Sequence, residues 1–129
     1  AGGNILPQPL SSYEAMAPDM HTPVVVGNRL FGVANKLHCL NLADNLKLLW
    51  THDDEAFSEY ATIIASEDKL LITAQNGELL LIDATADHFK LLSRLTVFPD
   101  ESGVYAHPAL IGKRLFLRSS THVVCLELH

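Results

Sequence analysis

Residues Thr22–Phe31 read TPVVVGNRLF, and the same kind of stretch returns at His107–Phe116 as HPALIGKRLF. Each copy passes from a proline through a short apolar run to Gly, a polar residue, Arg and a second apolar run. A third stretch, Thr62–Leu71, follows the same order of apolar, turn, basic and apolar residues, with Glu67 at the place of Gly27. The chain therefore contains at least three copies of one unit.

The spacing of these copies predicts the architecture. Glu67 follows Gly27 by 40 residues, and Gly112 follows Glu67 by 45, which is the length of one four-stranded blade of a β-propeller. Each unit also divides into short β-prone runs separated by turn residues, the pattern of an antiparallel meander. We therefore predict an all-β partial propeller of about three blades, at residues 21–56, 57–100 and 101–129, with the third blade lacking its outermost strand.

Residues 1–20 differ from the repeated part. Their glycines and prolines punctuate the backbone and disfavour a long regular element. We expect an irregular N-terminal segment, which could still complete a blade by supplying the missing strand, in this copy of the chain or in a neighbouring one.

Composition limits the possible partners. With 129 residues and 48% hydrophobic content, the chain can form a domain with a substantial core, but the smallest closed rings need about four blades. It is therefore either part of a larger ring or a chain that associates with copies of itself. A net charge of −6 argues against nucleic acid, whose binding needs clustered Lys and Arg. No apolar run approaches the roughly 18 to 20 residues of a membrane span.

The two cysteines, Cys39 and Cys125, occupy matching places in the first and third units. Equivalent positions two blades apart are too distant for a disulfide, which needs Cα atoms within about 7 Å. We predict that both are buried free thiols, since free Cys behaves as a small hydrophobe. Free thiols do not fix the cellular compartment.

With its units aligned, the chain resembles the pyrroloquinoline-quinone-type, or quinoprotein-like, β-propeller family. That family shows a Ser-Pro-Val-Val opening, a Gly-Arg-Val-Tyr second strand and a closing Ala-x-Asp-x-x-Thr-Gly-Lys-x-x-Trp motif. In the first unit Asp44, Lys47 and Trp50 approximate the closing motif, and Asn45 and Leu46 stand where the family has Thr-Gly. The resemblance implies structural, interblade roles for five residues: Pro23, Cys39, Trp50, Pro108 and Cys125.

The resemblance also bears on function. Catalytic family members bind their cofactor on the propeller axis and use a catalytic Asp, a calcium ion and often a disulfide between adjacent cysteines. This chain has no adjacent cysteine pair, and we predict no catalytic, cofactor or metal site. The closer likeness is to non-catalytic members such as the lipoprotein of the outer-membrane barrel assembly machinery, whose propeller is a docking surface. That likeness favours a periplasmic or other extracytoplasmic location.

Two groups of residues could bind a metal. The acidic run His52–Glu55, with Glu59 nearby, offers carboxylates to a hard cation but lacks the spacing of a calcium loop, so we interpret it as a solvated loop between blades. The histidines lack the His-x-x-x-His spacing of a zinc site, and we expect them at surfaces and strand edges. They are His21, His38, His52, His88, His107, His122 and His129.

Two other stretches invite a catalytic interpretation. Ser119–His122 combines hydroxyls with an imidazole, but no Gly-x-Ser-x-Gly elbow is present, which favours a polar hairpin turn. Asn76–Gly77 has no phosphate-loop context and is predicted to be a turn.

The sequence favours a non-enzymatic scaffold that binds another protein, or its own copies through the open flanks of the terminal blades. Two arcs of three blades would give a six-bladed homodimer, and the missing blades of a longer chain are the other possible partner. Two alternative functions stay open: a fragment of a quinoprotein-type oxidoreductase, and a propeller that binds carbohydrate or another small ligand. If Trp50 were an exposed anchor and not packed between blades, it would mark a partner site.

Overall fold

The computed structural model describes residues 2–18, 21–99 and 103–129, and the secondary structure of this part is all-β apart from two short 3-10 turns. Eleven strands in the described residues form three antiparallel sheets of four, four and three strands. The first sheet holds β1 (Val24–Val26), β2 (Arg29–Ala34), β3 (Lys36–Asn41) and β4 (Lys47–His52). The second holds β5 (Ala61–Ala65), β6 (Lys69–Ala74), β7 (Glu78–Asp83) and β8 (Leu91–Thr96). The third holds β9 (Ala109–Ile111), β10 (Arg114–Arg118) and β11 (Val123–Glu127).

Each sheet is a meander in which neighbours in sequence are neighbours in space, and we call the sheets the first, second and third blades. The glycines of the repeated stretch explain why the first hairpin recurs. Gly27 and Gly112 have φ of 57° and 58°, a left-handed conformation that costs glycine little. The predicted partial propeller with an incomplete last blade is confirmed.

Apolar side chains between neighbouring blades form two cores. The core between the first and second blades includes Phe31, Leu37 and Cys39 from the first and Ile72 and Leu80 from the second. In the core between the second and third blades, the other face of the second blade packs against the facing side of the third. The second blade is therefore covered on both faces, whereas each terminal blade has one face without a neighbouring blade.

Residues 2–18 form no strand, so within the described chain they do not add a fourth strand to the third blade. They lie instead by the first blade. Met16 is only 8% exposed, and a Cβ built on Gly32 would lie 2.4 Å from its sulfur atom. The ring of Tyr13 meets that of His38 edge-on at 6.0 Å. We call residues 13–16 the strap, because Tyr13 and Met16 contact the outer face of the first blade.

A short loop closes the first blade between β3 and β4. It contains a 3-10 turn at Leu42–Asp44, which begins where the side chain of Asn41 accepts a hydrogen bond from the amide of Ala43 at 3.0 Å. Asn45 and Leu46 follow with φ of 49° and 60°. Leu46 therefore adopts the left-handed conformation at the position where the resembling family has Gly.

No helix within the described ranges is long and apolar enough to cross a membrane.

Candidate functional site

The boundary between the first and second blades, which we call the first junction, shows how blades bind each other in this chain. Phe31 and Cys39 lie opposite each other on β2 and β3, and both are fully buried. Val26, on the same face, is 6% exposed. These side chains pack on the aliphatic face of the second blade, so the central contact of the junction is apolar.

Arg29 adds polar contacts at the edge of the first junction. Its guanidinium donates hydrogen bonds to the backbone oxygens of Ala84 and Ala86 and forms an ion pair with Asp87 at 3.1 Å. These acceptors lie in the loop between β7 and β8. A hydrogen bond from the hydroxyl of Thr85, with further bonds from its amide and from Lys90, lowers the pKa of Asp83 at the start of this loop.

Trp50 contacts both blades of the first junction. Its ring lies 6.0 Å from that of Phe31 in its own blade and 6.5 Å from that of Phe89 in the second. Phe89 also stacks on His52 at 3.6 Å and meets Phe57 edge-on. The Trp50 ring is partly exposed, and its buried Nε1 has no hydrogen-bond partner within the described residues. Trp50 therefore packs against aromatic rings of both blades at the first junction.

The third blade repeats part of this surface, and nothing covers that part within the described chain. Phe116 lies opposite Cys125, as Phe31 lies opposite Cys39, and Arg114 takes the place of Arg29 at the start of the second strand. We call Ala109, Ile111, Arg114, Phe116, Arg118, Val123, Cys125 and Glu127 the open flank, because they share the face that points away from the second blade. Ile111 and Val123 are 69% and 71% exposed.

The open flank corrects one expectation from the sequence. Cys125 is exposed, although Cys39 is buried as predicted, and both are free thiols. The prediction of a buried Cys125 is wrong because burial at this position depends on a following blade, and the described chain has none there. Of the two prolines at repeat boundaries, Pro108 is buried before β9 and Pro23 is partly buried before β1.

A second surface lies at the end of the blades where the β2–β3 and β6–β7 turns meet the segments that join the blades. It is a groove of about 410 Å³, and its lining includes His21, Asn35, Glu59, Tyr60, Gln75 and Tyr105. We call it the turn-end groove.

Gln75 organises the turn-end groove. Its side-chain oxygen accepts from the amide of Tyr60 at 3.2 Å, and its side-chain nitrogen donates to the hydroxyl of Tyr105 at 3.1 Å. The two tyrosine rings lie 5.8 Å apart, and burial raises the pKa of the Tyr60 hydroxyl. Two aromatic rings with amide and carboxylate groups nearby can bind a small polar ligand.

The acidic run does not gather around a common point. Asp53 pairs with Lys36 at 3.2 Å, while Asp54 caps the second 3-10 turn, Glu55–Phe57, and pairs with Arg94. Burial alone would raise the pKa of Asp54, but hydrogen bonds from the Ala56 amide and from Arg94 lower it. Within residues 2–18, 21–99 and 103–129, no group of three or more His, Cys, Asp or Glu side chains could hold a metal ion.

The histidines have separate surroundings. His21 hydrogen-bonds to the backbone of Val33, and His38 is buried with its Nε2 atom 3.2 Å from the oxygen of Ala34. His52 stacks on Phe89. The remaining four lie at exposed positions: His88, His107, His122 and His129.

The two stretches with a catalytic appearance are turns. The Ser119 hydroxyl oxygen accepts from the amides of Thr121 and His122 and so closes the β10–β11 hairpin. Gly77 has a φ of 89° at the β6–β7 turn, and a Cβ there would lie 2.4 Å from the backbone oxygen of Phe98. Only glycine fits that position without a shift of the backbone.

Neither a protein-family model nor a curated protein sequence matches the chain, but solved structures do. The quinohemoprotein alcohol dehydrogenase from Comamonas testosteroni matches with a TM-score of 0.59 and 18% identity, over 81% of this chain and 17% of that one. BamB from Moraxella catarrhalis matches with a TM-score of 0.63 and 12% identity, over 82% of this chain and 36% of that one.

The three stacked meanders and these likenesses define the chain as part of a β-propeller. Its blades have the fold of the pyrroloquinoline-quinone-type, or quinoprotein-like, propellers, as the repeated stretch predicted. The chain spans about a sixth of one matched structure and about a third of the other. At these identities the likeness concerns the fold alone.

Proposed function

We propose that the chain is a non-enzymatic propeller scaffold that binds protein through the open flank. The observation that carries this proposal is the contrast between equivalent residues: Phe31 and Cys39 are fully buried against the next blade, whereas Cys125 and its neighbour Val123 are exposed. Contiguous apolar surface of this kind marks interaction sites in soluble proteins. The fold likeness to BamB is consistent with this role.

The proposed partner binds by sheet-on-sheet packing. Strand faces bury their side chains against another sheet about 10 Å away, and the open flank has the residue types of a face that already packs this way in the first junction. A partner therefore offers an aliphatic sheet face. A second copy of the chain and the further blades of a longer chain both meet this requirement.

The turn-end groove supports a second candidate function, the binding of a small polar ligand. Tyr60 and Tyr105 present their rings at the groove, and aromatic faces beside hydrogen-bonding side chains are typical of ligand pockets. Tyr105 is 54% exposed and is available for stacking on a sugar ring. Substituting Tyr105 by Ala is expected to abolish such binding while leaving the open flank intact.

Thiol chemistry provides the first test of the scaffold. Cys125 reports on the open flank because it lies at its centre opposite Phe116. With an aromatic disulfide reagent, Cys125 is expected to react rapidly in dilute chain and to be protected when the flank is occupied. Buried Cys39 serves as the internal control that reacts only after denaturation. Equal protection of both thiols at every concentration would contradict the exposed flank.

A second test separates the scaffold from the oxidoreductase alternative. The chain is mixed with pyrroloquinoline quinone and calcium, and an alcohol and an electron-accepting dye are added. The scaffold is expected to give no change in quinone absorbance and no dye reduction. Quinone-dependent dye reduction above that of free quinone would overturn the proposal in favour of an enzyme.

A further inference from the structure

Four residues of the open flank match residues on one side of the first junction. Ile111 pairs with Arg114 across β9 and β10 as Val26 pairs with Arg29 across β1 and β2. The same registers align Phe116 with Phe31 and Cys125 with Cys39. The third blade therefore repeats the centre of the side of the junction that, in the first blade, binds its neighbour. It differs at Arg118, which stands where Val33 is buried, and within the described chain it has no fourth strand to carry an equivalent of Trp50.

The outer face of the first blade matches the other side of the junction. The second blade offers the row Ala65, Leu70, Ile82 and Leu91. In the first blade the row Val25, Leu30, Leu40 and Leu48 has the same pairing. Both rows end at a bulge of the outermost strand, between Leu81 and Ile82 in one blade and between Cys39 and Leu40 in the other, which fixes the equivalence.

The loop that receives the arginine is also reproduced. In the second blade Asp83 accepts from the amide of Thr85 at 2.9 Å, and Arg29 binds the backbone oxygens that follow. In the first blade Asn41 accepts from the amide of Ala43 in the same way. Asp44 lies next in this loop and pairs with Lys47 at 3.8 Å. Its side chain is more than half exposed, so an incoming guanidinium can also reach it.

One row differs between the two faces, and the strap lies there. Ile72 and Leu80 of the second blade correspond to Gly32 and His38 of the first. Met16 packs at Gly32 and Tyr13 at His38, so strap side chains occupy space that aliphatic side chains fill in the second blade. The edges of the face, including Val25 at 54%, stay exposed.

We propose that the open flank of one copy binds the outer face of the first blade of a second copy, with Arg114 bound by the loop that contains Asp44 and with the strap displaced. This inference rests on the proposed scaffold function and names its partner. Both halves of the interface lie on every chain, at opposite ends of the arc. Two copies related by a two-fold axis form two such contacts and close a ring of six blades, a size within the range of roughly four to eight known for propellers.

The test is a charge exchange across the interface, measured by sedimentation velocity on the full chain. The native chain is expected to dimerise at micromolar concentration, giving twice its monomer mass of 14.2 kDa. In the proposed contact, Arg114→Glu places a carboxylate opposite Asp44, and Asp44→Arg places a guanidinium opposite Arg114. Within its own chain the first change also faces Glu127, and the second removes the ion pair with Lys47. The dimer of each variant alone is expected to have a dissociation constant at least about tenfold higher than that of the native dimer, since close charge pairs at interfaces are strongly coupled.

Mixing the two variants decides the proposal. In a mixed dimer one contact joins the two exchanged side chains, which again have opposite charges, and the other contact keeps the native pair of Arg114 and Asp44. The dissociation constant of the mixed dimer is therefore expected to lie within about threefold of the native value. This difference is small compared with the effect expected from a mismatched charge pair. Lys113→Glu is the matched control, because it makes the same charge change in the adjacent hairpin turn and leaves dimerisation unchanged.

A variant that releases the strap provides an independent measurement. Met16→Asp puts a charge where the sulfur now packs on Gly32, and dimerisation is expected to tighten because the second copy no longer displaces the strap. A monomer at all concentrations, or variants that fail to rescue each other, would overturn the inference. If rescue fails while Cys125 is protected, the flank binds by another arrangement and the scaffold function stands; quinone-dependent dye reduction would overturn that function separately.

Discussion

The first junction and the open flank share an arginine and a Phe–Cys pair in the same register, yet one surface is a core and the other is exposed. Phe31 is fully buried and the equivalent Phe116 is not, and Cys39 is buried where Cys125 is exposed. The sequence of a strand thus determines which face it can offer to a neighbour. Whether that face is buried depends on the neighbouring sheet.

The largest expected difference between the first junction and the open flank is in the effect of removing their phenylalanine rings. Phe31→Ala is expected to lower the free energy of unfolding by about 3 to 5 kcal/mol, the usual cost of removing a buried aromatic ring. Phe116→Ala is expected to cost about 1 kcal/mol in the monomer, because its ring is only partly buried and its removal leaves no enclosed cavity. Urea unfolding of the dilute chain measures both. Equal losses would mean that the third blade is already covered.

Trp50→Ala is expected to lower the free energy of unfolding by about 3 kcal/mol, less than Phe31→Ala does. The ring of Trp50 packs on Phe31 and Phe89 but is partly exposed. Trp50→Phe is the matched control. It keeps an aromatic ring and removes the Nε1 group that lacks a partner among the described residues, so its stability should stay close to native. Unfolding followed by circular dichroism gives both values. Unchanged stability in Trp50→Ala, with loss of a binding partner, would make this residue an interaction anchor.

The arginines give the third comparison. Arg29→Ala removes hydrogen bonds to the backbone oxygens of Ala84 and Ala86 and is expected to cost about 2 kcal/mol, typical for bonds from a charged group. Arg114→Ala is expected to leave the stability of the monomer unchanged, because Arg114 lies on the uncovered face. Thermal unfolding of the dilute chain distinguishes the two variants. A large loss in Arg114→Ala would place its partner within the same chain.

The smallest expected change in stability comes from the buried thiol of Cys39 and occurs only at alkaline pH. Burial raises the pKa of Cys39 from 9.0 to about 11, so the unfolded chain loses this proton before the folded chain does. The stabilisation from the neutral thiol is complete below pH 9 and is lost as the pH rises towards 11. The difference in unfolding free energy between the native chain and Cys39→Ala should therefore narrow over that interval. Urea unfolding of the native chain and of Cys39→Ala at a series of pH values between 9 and 11 measures this difference.

Much of the fold could be predicted because its signals are local. Gly27 and Gly112 fix the hairpins that start two blades, and the apolar runs beside them define strands within a residue or two of those observed. The equivalence of Cys39 and Cys125 was also visible from the repeat. Their different exposure was not, because it depends on how many blades follow.

The candidate sites were less predictable because they join distant segments. Tyr60, Gln75 and Tyr105 come together only when two interblade segments meet a turn. The sequence did not predict the position of the strap, because Tyr13 and Met16 lie in a proline-rich segment without hydrophobic periodicity. Arg29 and Arg114 were visible in the sequence, because arginine recurs two residues after both Gly27 and Gly112.

The left-handed backbone of Leu46 has a consequence for engineering the chain. A side chain with a Cβ in this conformation costs on the order of 1 to 2 kcal/mol, and the resembling family avoids that cost with a glycine. The loop between β3 and β4 thus holds conformational strain that the remainder of the blade offsets. Leu46→Gly is therefore expected to make the domain more stable while leaving the open flank unchanged, which suits binding studies at that surface.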